Sequence, residues 1–276
     1  MAQRPQLKDV TTLNQLSTFY PTEKDIAHLL MNEKLIRNEA SCGKCGNKMS
    51  LRSRGDGYEW RCRLSKGKDC SSKSIKSDSF FAKSKLSLYQ AVKILVLWNQ
   101  RLSSKNIASE SGVSEQSICD WKNFLREICV RIEERYPKIG GLDHIVEIDE
   151  SNVHTRKYGR GQGIQEDWVL GGVDRSTGRV FAQRVPNRAA ITLVPLLQKS
   201  IEKSSIVYSD ECLIANRRVC TNGVEAMWSR MKKPFKSSNG TSSDLLSSYI
   251  SEFVCRENEK DQFFATILQE IRKLAA

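Results

Sequence analysis

The alternation of apolar and polar residues between Gly141 and Asn187 predicts three β-strands. The run IVEIDES is rich in β-branched residues and turns polar at Asp149, while WVLGGVDRSTGRVF predicts a hairpin whose turn ends on Gly178. A helix-like segment, AAITLVPLLQKSI, follows, and IVYSD then predicts a short strand that ends on Asp210. Two of the predicted strands therefore end on carboxylates.

The order of these elements, three strands, a helix and a further strand, predicts a ribonuclease-H-like α/β core. In such a core, neighbouring strand ends hold carboxylates close enough to share Mg²⁺ or Mn²⁺ ions for phosphoryl transfer. A third acid is expected from a later helix, where TNGVEAMWSRMKKPF offers Glu225 beside an apolar stripe at helical spacing. We therefore predict that the catalytic residues and Mg²⁺ ligands are Asp149, Asp210 and Glu225. A mixed sheet with ordinary solvated carboxylates is the alternative.

Four cysteines upstream have the spacing of a zinc site. Cys42, Cys45, Cys62 and Cys70 form a C-x2-C-x16-C-x7-C set, and the residues between the second and third cysteines are typical of a hairpin of short strands. Four thiolates suit tetrahedral Zn²⁺, so we predict a structural zinc ribbon. The seven-residue gap is wider than usual, which makes Cys70 the least constrained ligand. A fortuitous group of free cysteines is the alternative.

Residues 87 to 136 show apolar residues at helical spacing on both sides of a turn at Gly112 and Val113. The pattern predicts a helix-turn-helix module, with Ser114 capping a second helix that buries Ile118, Trp121, Leu125 and Ile128. Such a helix reads base edges through its first residues, and Gln116 has the amide that pairs with adenine. The predicted contacts to DNA are Ser114, Glu115, Gln116, Ser117 and Lys122. A helical hairpin without a DNA role is the alternative.

The net charge of +12 is concentrated in the first half of the chain. Residues 41 to 105 hold 15 basic against 4 acidic side chains, a balance suited to a phosphate backbone. We predict that double-stranded DNA is the partner and that the ribbon contacts it through Arg52, Arg54, Arg61 and Arg63. A solvated basic face is the alternative. The odd count of nine cysteines, with no long apolar run and no signal-peptide pattern, predicts an intracellular protein without membrane insertion, nuclear in a eukaryotic host.

Several segments, in order, resemble one known family. They are VEIDES, RKYGRGQ, WVLGGVDRSTGRVF, VPNRAAITLVPLLQKSI, IVYSDE, TNGVEAMWSRMKK and SSDLLSSYISEFVCRE, within residues 141 to 257. The chain resembles the transposases of Merlin-type DNA transposons and of their bacterial insertion-sequence relatives of the ISXO type, which carry a DDE transposase domain. The resemblance implies binding of DNA element ends, strand cleavage and transfer, and the same zinc ribbon upstream.

These observations divide the chain into five predicted regions. A helical element (1–40) precedes the zinc ribbon (41–82) and the helix-turn-helix module (83–140); the ribonuclease-H-like DDE domain (141–257) and a C-terminal helix (258–276) follow. Only 14 residues separate Asp210 from Glu225, fewer than the family usually has. The expected fifth strand is therefore missing, and a catalytically inactive DNA-binding protein derived from a transposase is the alternative function. Assembly as a homo-oligomer on DNA is left open.

Overall fold

The computed structural model describes residues 4–55, 57–64, 69–153, 167–209, 213–214, 217–218, 220–237 and 242–275. Contacts divide the chain into a first unit, formed by Met1–Ile128 with Phe264–Ala276, and a second unit, Cys129–Phe263. None of the helices in the described part of the chain is long and apolar enough to cross a membrane.

The first unit begins with two short helices, α1 (Leu13–Phe19) and α2 (Glu23–Asn32). Both start with a capping box, in which a threonine and the residue three positions later satisfy each other's backbone amides. The first residue of α2 also caps the later helix α3 (Leu88–Asn99), because the Glu23 carboxylate accepts hydrogen bonds from the amides of Leu88 at 2.6 Å and Tyr89 at 2.8 Å. This carboxylate fixes the start of α3 to α2.

Between these helices lies a three-stranded antiparallel sheet of β1 (Ser50–Arg54), β2 (Gly57–Arg63) and β3 (Asp69–Ser74), in that order. The sequence predicted a hairpin here, and β3 adds a third strand by pairing with β2. The register shifts between Cys62 and Arg63, so a bulge lies next to one of the cysteines. The sheet thus brings distant cysteines towards the loop that precedes β1.

Two further helices follow α3: α4 (Ser104–Ser111) and α5 (Glu115–Glu133). α4 ends at Gly112, whose φ of +68° is a left-handed conformation that glycine adopts without strain. The residues predicted to be buried on α5 are buried, including Ile118 and Leu125 at 0% exposure. The helical spacing therefore identified the packed face of α5 correctly.

The second unit contains a four-stranded sheet built from β4 (Ile145–Asn152), β5 (Trp168–Asp174), β6 (Val180–Val185) and β7 (Ile206–Tyr208). Its order is β6-β5-β4-β7; β4 pairs antiparallel with β5 and parallel with β7. The parallel crossover between β6 and β7 contains α6 (Ala190–Ser200). Two strands of two residues, β8 (Leu213–Ile214) and β9 (Arg217–Arg218), pair only with each other among the described residues.

Helices lie on both faces of this sheet. α7 (Asn222–Ser237) and α8 (Ser243–Glu259) bury a cluster that includes Val169, Trp228 and Ile250, whereas a smaller cluster with Val146 includes Leu197 of α6. Gly171 of β5 makes room for α7, since a Cβ there would lie 2.6 Å from the Trp228 ring. Val146 and Ile148 of β4 therefore lie on the face of α6, whereas Glu147 and Asp149 face α7.

The last helix, α9 (Phe263–Lys273), belongs largely to the first unit. Its apolar face, with Ile267 and Leu268 at 0% exposure, is fully buried. Near its end the Arg272 guanidinium donates to the carbonyl of Glu33 at 2.7 Å and contacts its carboxylate at 3.2 Å. The C-terminal segment thus packs with the N-terminal helical element.

Candidate functional sites

The four predicted zinc ligands come together in the first unit. Cys42 and Cys45 lie in the loop before β1, Cys62 on β2 and Cys70 on β3, with all four Sγ atoms within 4.8 Å of one another. The Sγ separations are 3.5 Å for Cys45 and Cys62 and 3.7 Å for Cys42 and Cys70. A Zn–S distance of about 2.3 Å gives a tetrahedral edge of about 3.8 Å. The cluster, including Cys70, therefore has the dimensions to hold a metal ion such as zinc.

The loop before β1 is shaped to present its thiols. The Gly46 amide donates to the Cys42 carbonyl at 2.8 Å, and Gly46 adopts a φ of +74°, which closes the tight turn that contains both cysteines. The Ser71 hydroxyl lies 2.9 Å from the Cys42 sulfur, and the Lys44 amide donates to that sulfur at 3.4 Å. These hydrogen bonds stabilise a thiolate, which is the form that binds metals.

The pKa values of these cysteines are shifted in opposite directions. The hydrogen bond with Ser71, followed by the backbone amides of Cys45 and Lys44, lowers the pKa of Cys42 to about 6. The hydrogen bond with Cys45, together with burial, raises the pKa of Cys62 to about 12, and the contact with Cys42 raises the pKa of Cys70. Once one cysteine is a thiolate, its neighbours lose their protons less readily, because adjacent negative charges repel. A cation at the centre of the cluster would offset that repulsion.

Three of the four arginines that the sequence predicts to contact phosphate are paired with acids. Arg54 and Arg61 contact the buried Glu59 carboxylate at 2.9 and 3.0 Å, and Arg63 contacts Asp69 at 3.3 Å. Among the residues that the structure describes, Arg52 is the member of this set that makes no ion pair. The sequence shows these positive charges but not their acidic partners. Because its three neighbours are paired, Arg52 is the best candidate of the set for a phosphate contact.

The start of α5 is exposed, as its predicted role requires. The Ser114 hydroxyl accepts a hydrogen bond from the Ser117 amide at 3.3 Å, the predicted cap, and Ser114, Glu115 and Gln116 are exposed. The Gln116 amide contacts Asp120 at 3.4 Å along the helix. Lys122 is half-buried, and its ammonium donates to the Leu102 carbonyl at 3.1 Å, so this lysine helps to hold α5 against the turn after α3.

In the second unit, β4 presents a row of polar side chains to α7. Its alternate residues contact the helix at intervals of four residues: Glu147 accepts from the Val224 amide at 2.9 Å, Asp149 from the Trp228 indole at 3.0 Å, and Ser151 from the Lys232 ammonium at 2.6 Å. Every second residue of the strand thus lies opposite every fourth residue of the helix, because side chains on one face repeat every two residues in a strand and about every 3.6 residues in a helix. The orientation of the predicted catalytic Asp149 is fixed by a buried tryptophan.

The other two predicted catalytic acids are Glu225 and Asp210. Glu225 is exposed in the first turn of α7, three residues before Trp228 and therefore on a neighbouring part of the helix surface. Asp210 lies outside the described residues; the described strand β7 ends at Tyr208, which pairs with Glu147. Among the described residues, the four-cysteine cluster is the group with metal-ligand geometry.

Two charged residues beside this face, Glu147 and Arg175, were not predicted as functional from the sequence. Glu147 is 2% exposed, and one of its carboxylate oxygens lies 2.5 Å from the Arg175 Nε. Arg175 also donates to the Cys220 carbonyl, just before α7, and its guanidinium lies 5.1 Å from the centre of the Tyr208 ring. The alternation in VEIDES could have placed Glu147 on the same face as Asp149, but nothing in the sequence identified Arg175 as its partner.

Residues 141–217 match the ISXO2-like transposase domain family. The match includes the strands β4 to β7 and both predicted catalytic aspartates, and it stops before Glu225. It confirms, for this segment, the resemblance to ISXO-type transposases. No curated protein and no solved structure matches the chain.

Proposed function

We propose that this is a transposase-like protein, which binds the ends of a DNA element and catalyses Mg²⁺-dependent strand cleavage and transfer. The observation that carries the proposal is the sheet order β6-β5-β4-β7, with Asp149 on a central strand and α7, the helix of Glu225, packed on it. This is the arrangement expected of a ribonuclease-H-like core. The match of residues 141–217 to a transposase domain supports it.

Asp149, Asp210 and Glu225 would hold the catalytic Mg²⁺ or Mn²⁺ ions. Their carboxylate oxygens are the ligand type that these ions prefer, and bound ions would supply an activated water or hydroxyl and stabilise the leaving oxygen. The strands that lead to Asp149 and towards Asp210 are parallel neighbours, so they run to the same edge of the sheet. The Trp228 indole keeps the Asp149 carboxylate in one orientation, which limits the reorganisation needed to bind a cation.

The first unit would bind the DNA. We propose one structural Zn²⁺ on the four cysteines, which would fix β1 to β3 and present Arg52 to the phosphate backbone. The exposed start of α5 has the capped, polar character of a recognition helix, and Gln116 would read a base edge in the major groove. The chain's excess positive charge lies in this half, which supports a phosphate-binding role.

A catalytically inactive DNA-binding protein is the second candidate, and one observation favours it. No strand in the described part of the chain pairs with the outer edge of β7, and Ile206 and Val207 on that strand are 46% and 43% exposed. The segment between Asp210 and Glu225 is too short for a crossover and a further strand. An incomplete sheet would support Glu225 less firmly.

A strand-joining assay decides between these functions. The full chain is incubated with Mn²⁺ or Mg²⁺ and DNA that carries the element's own ends. We expect joined products that Asp149→Asn and Glu225→Gln reduce by on the order of a hundredfold or more, whereas Glu257→Gln, which removes an α7–α8 ion pair, leaves joining intact. Salt-sensitive DNA binding without joining would favour the inactive protein, and absence of DNA binding would refute both.

A further inference from the structure

We infer that Glu147 and Arg175 form a clamp that positions the acid-bearing elements of the second unit. The clamp would hold the start of α7, and hence Glu225, in register with Asp149 on β4. The role in positioning the acids rests on the proposed function, while the mechanical role can be tested by itself. Both residues are positioning residues, since neither is proposed to touch a metal ion or DNA.

Glu147 connects the sheet to the first turn of α7. Its side chain is 3% exposed, and its two oxygens have different partners: one accepts from the Val224 amide at 2.9 Å and the other from the Arg175 Nε at 2.5 Å. The amides of a helix's first turn lack partners within the helix, and a carboxylate there is favoured by the helix dipole. Glu147 therefore caps α7 from a neighbouring strand.

The local sequence allows no larger residue at the contact. A Cβ on Gly223 would lie 2.8 Å from a Glu147 carboxylate oxygen. The absence of a side chain at this position lets the buried carboxylate reach the Val224 amide directly. The glycine in TNGVE thus permits the cap, and the acid that follows two residues later is Glu225.

Arg175 extends the connection to two further elements. It follows the last residue of β5, and it bonds the Cys220 carbonyl that precedes α7 while stacking 5.1 Å from the centre of the Tyr208 ring at the end of β7. The guanidinium offers donors in a rigid plane, so it can satisfy a carboxylate and a carbonyl at once. The strand of Asp149, the strand that leads to Asp210 and the helix of Glu225 all contact this pair.

A change in the clamp should be transmitted over short distances. Asp149 lies two residues along β4 from Glu147, and Trp228 lies one helical turn along α7 from Val224, with a hydrogen bond between Asp149 and Trp228. A shift of α7 by a fraction of a turn would alter this contact and the position of Glu225 together. Misplacement of a reacting group by about 1 Å can cost on the order of a hundredfold in rate.

The experiment compares Glu147→Gln and Arg175→Gln with the control Glu257→Gln in the full chain. Glu257 pairs with Arg230 of α7 at 2.7 Å, so the control also removes an ion pair from this helix, away from its start. Hydrogen exchange of the peptide that covers residues 221 to 228 measures how firmly the start of α7 is held. Quenching of tryptophan fluorescence measures Mn²⁺ binding, and hence the positions of the acidic residues proposed as ligands. Asp149→Asn shows which part of the quenching depends on the face of β4 that contacts α7.

We expect exchange in residues 221 to 228 to increase in both clamp variants and to stay unchanged in the control. We also expect the Mn²⁺ dissociation constant to rise about tenfold or more in both clamp variants, the usual effect of losing an outer-shell partner. Arg175→Lys, which keeps the charge, should recover part of this loss. Because Arg175 is 38% exposed, its variants should fold even if Glu147→Gln does not.

Unchanged exchange of residues 221 to 228 in Arg175→Gln would overturn the clamp. So would unchanged Mn²⁺ affinity in a protein whose Mn²⁺ binding depends on Asp149. If the wild-type protein shows no Asp149-dependent Mn²⁺ binding while exchange increases in the clamp variants, the proposed metal centre fails and the mechanical role of the clamp stands.

Discussion

The cysteine cluster and the polar face of β4 differ in how the protein assembles a site. The cluster takes its four ligands from 29 consecutive residues, 42 to 70, and their sulfur atoms lie within 4.8 Å of one another. The face of β4 depends on α7, whose contacting residues lie 77 to 81 positions further along the chain. A short segment can be organised by a metal ion, whereas the polar face of β4 needs the packed core of a whole unit.

The same difference explains what the sequence could predict. The cysteine spacing, the glycine turn and the preference of thiolates for zinc were enough to identify all four members of the cluster. The helical spacing on α5 likewise identified its buried face, because that pattern depends on the period of one helix. These features are local, and the physics that creates them acts within a few tens of residues.

Contacts between distant segments were not predictable in the same way. Nothing in the sequence indicated that Glu59 would be buried under Arg54 and Arg61, or that Glu147 would contact both Arg175 and the start of α7. An acid is recognisable in a strand, but its partners depend on how the strands order in the sheet. The strand carrying Asp149 was predicted, and its hydrogen bond to Trp228 was not.

The largest expected effect comes from removing the zinc ion that we propose for the first unit. We predict one Zn²⁺ per chain, because binding energies of structural zinc in small modules, about 10–16 kcal/mol, exceed what so small a sheet gains from its core. Cys62→Ser should lose the zinc, and hydrogen exchange should rise throughout residues 41 to 75. Cys119→Ser, at an exposed position of α5, is the matched control and should keep the metal.

Metal analysis of protein purified without chelator checks the prediction. Absence of zinc in the wild type would contradict the site. Full zinc retention by Cys70→Ser would instead move the fourth ligand elsewhere, despite the 3.7 Å separation of its sulfur from that of Cys42.

A smaller effect is expected at the residues that we propose to contact DNA. Gln116→Ala should weaken binding to the element's ends by about 1–3 kcal/mol while barely changing binding to unrelated duplexes, because base contacts carry specificity. Arg52→Ala should weaken binding to every duplex and reduce the slope of log affinity against log salt by about one, because phosphate contacts release counterions.

Arg54→Ala is the matched control for Arg52, since the Arg54 guanidinium is already paired with Glu59 at 2.9 Å. Filter binding with the full chain over a range of salt concentrations measures these effects. Equal slopes for the Arg52 and Arg54 variants would show that the ion pairs of the ribbon do not decide which arginine meets the phosphate.

The smallest expected effect concerns acid stability of the second unit. Burial alone would raise the pKa of Asp174, but hydrogen bonds from His144, Thr177 and Ser176 outweigh it and lower the pKa below its ordinary value. A carboxyl with a lowered folded-state pKa stabilises the fold above its unfolded-state pKa, and this contribution is lost as the pH falls through the folded-state pKa.

Asp174→Asn should therefore lower the melting temperature near neutral pH, and the difference from wild type should shrink at pH values below about 4. Asp143→Asn, at an exposed position nearby, is the control and should change little at any pH. Thermal melts of the full chain across pH measure this, and a difference that stays constant with pH would show that charge is not the cause.

Cleavage of the chain by bound iron tests most directly whether the face of β4 holds a catalytic cation. Zinc-loaded protein is supplied with Fe²⁺ in place of Mg²⁺, and ascorbate with peroxide then generates radicals that cut the backbone near the iron. We predict cuts near Asp149 and near the start of α7, suppressed by excess Mg²⁺ and lost in Asp149→Asn. Absence of cuts at these positions, or cuts that Asp149→Asn leaves unchanged, would contradict a metal-dependent centre on this face.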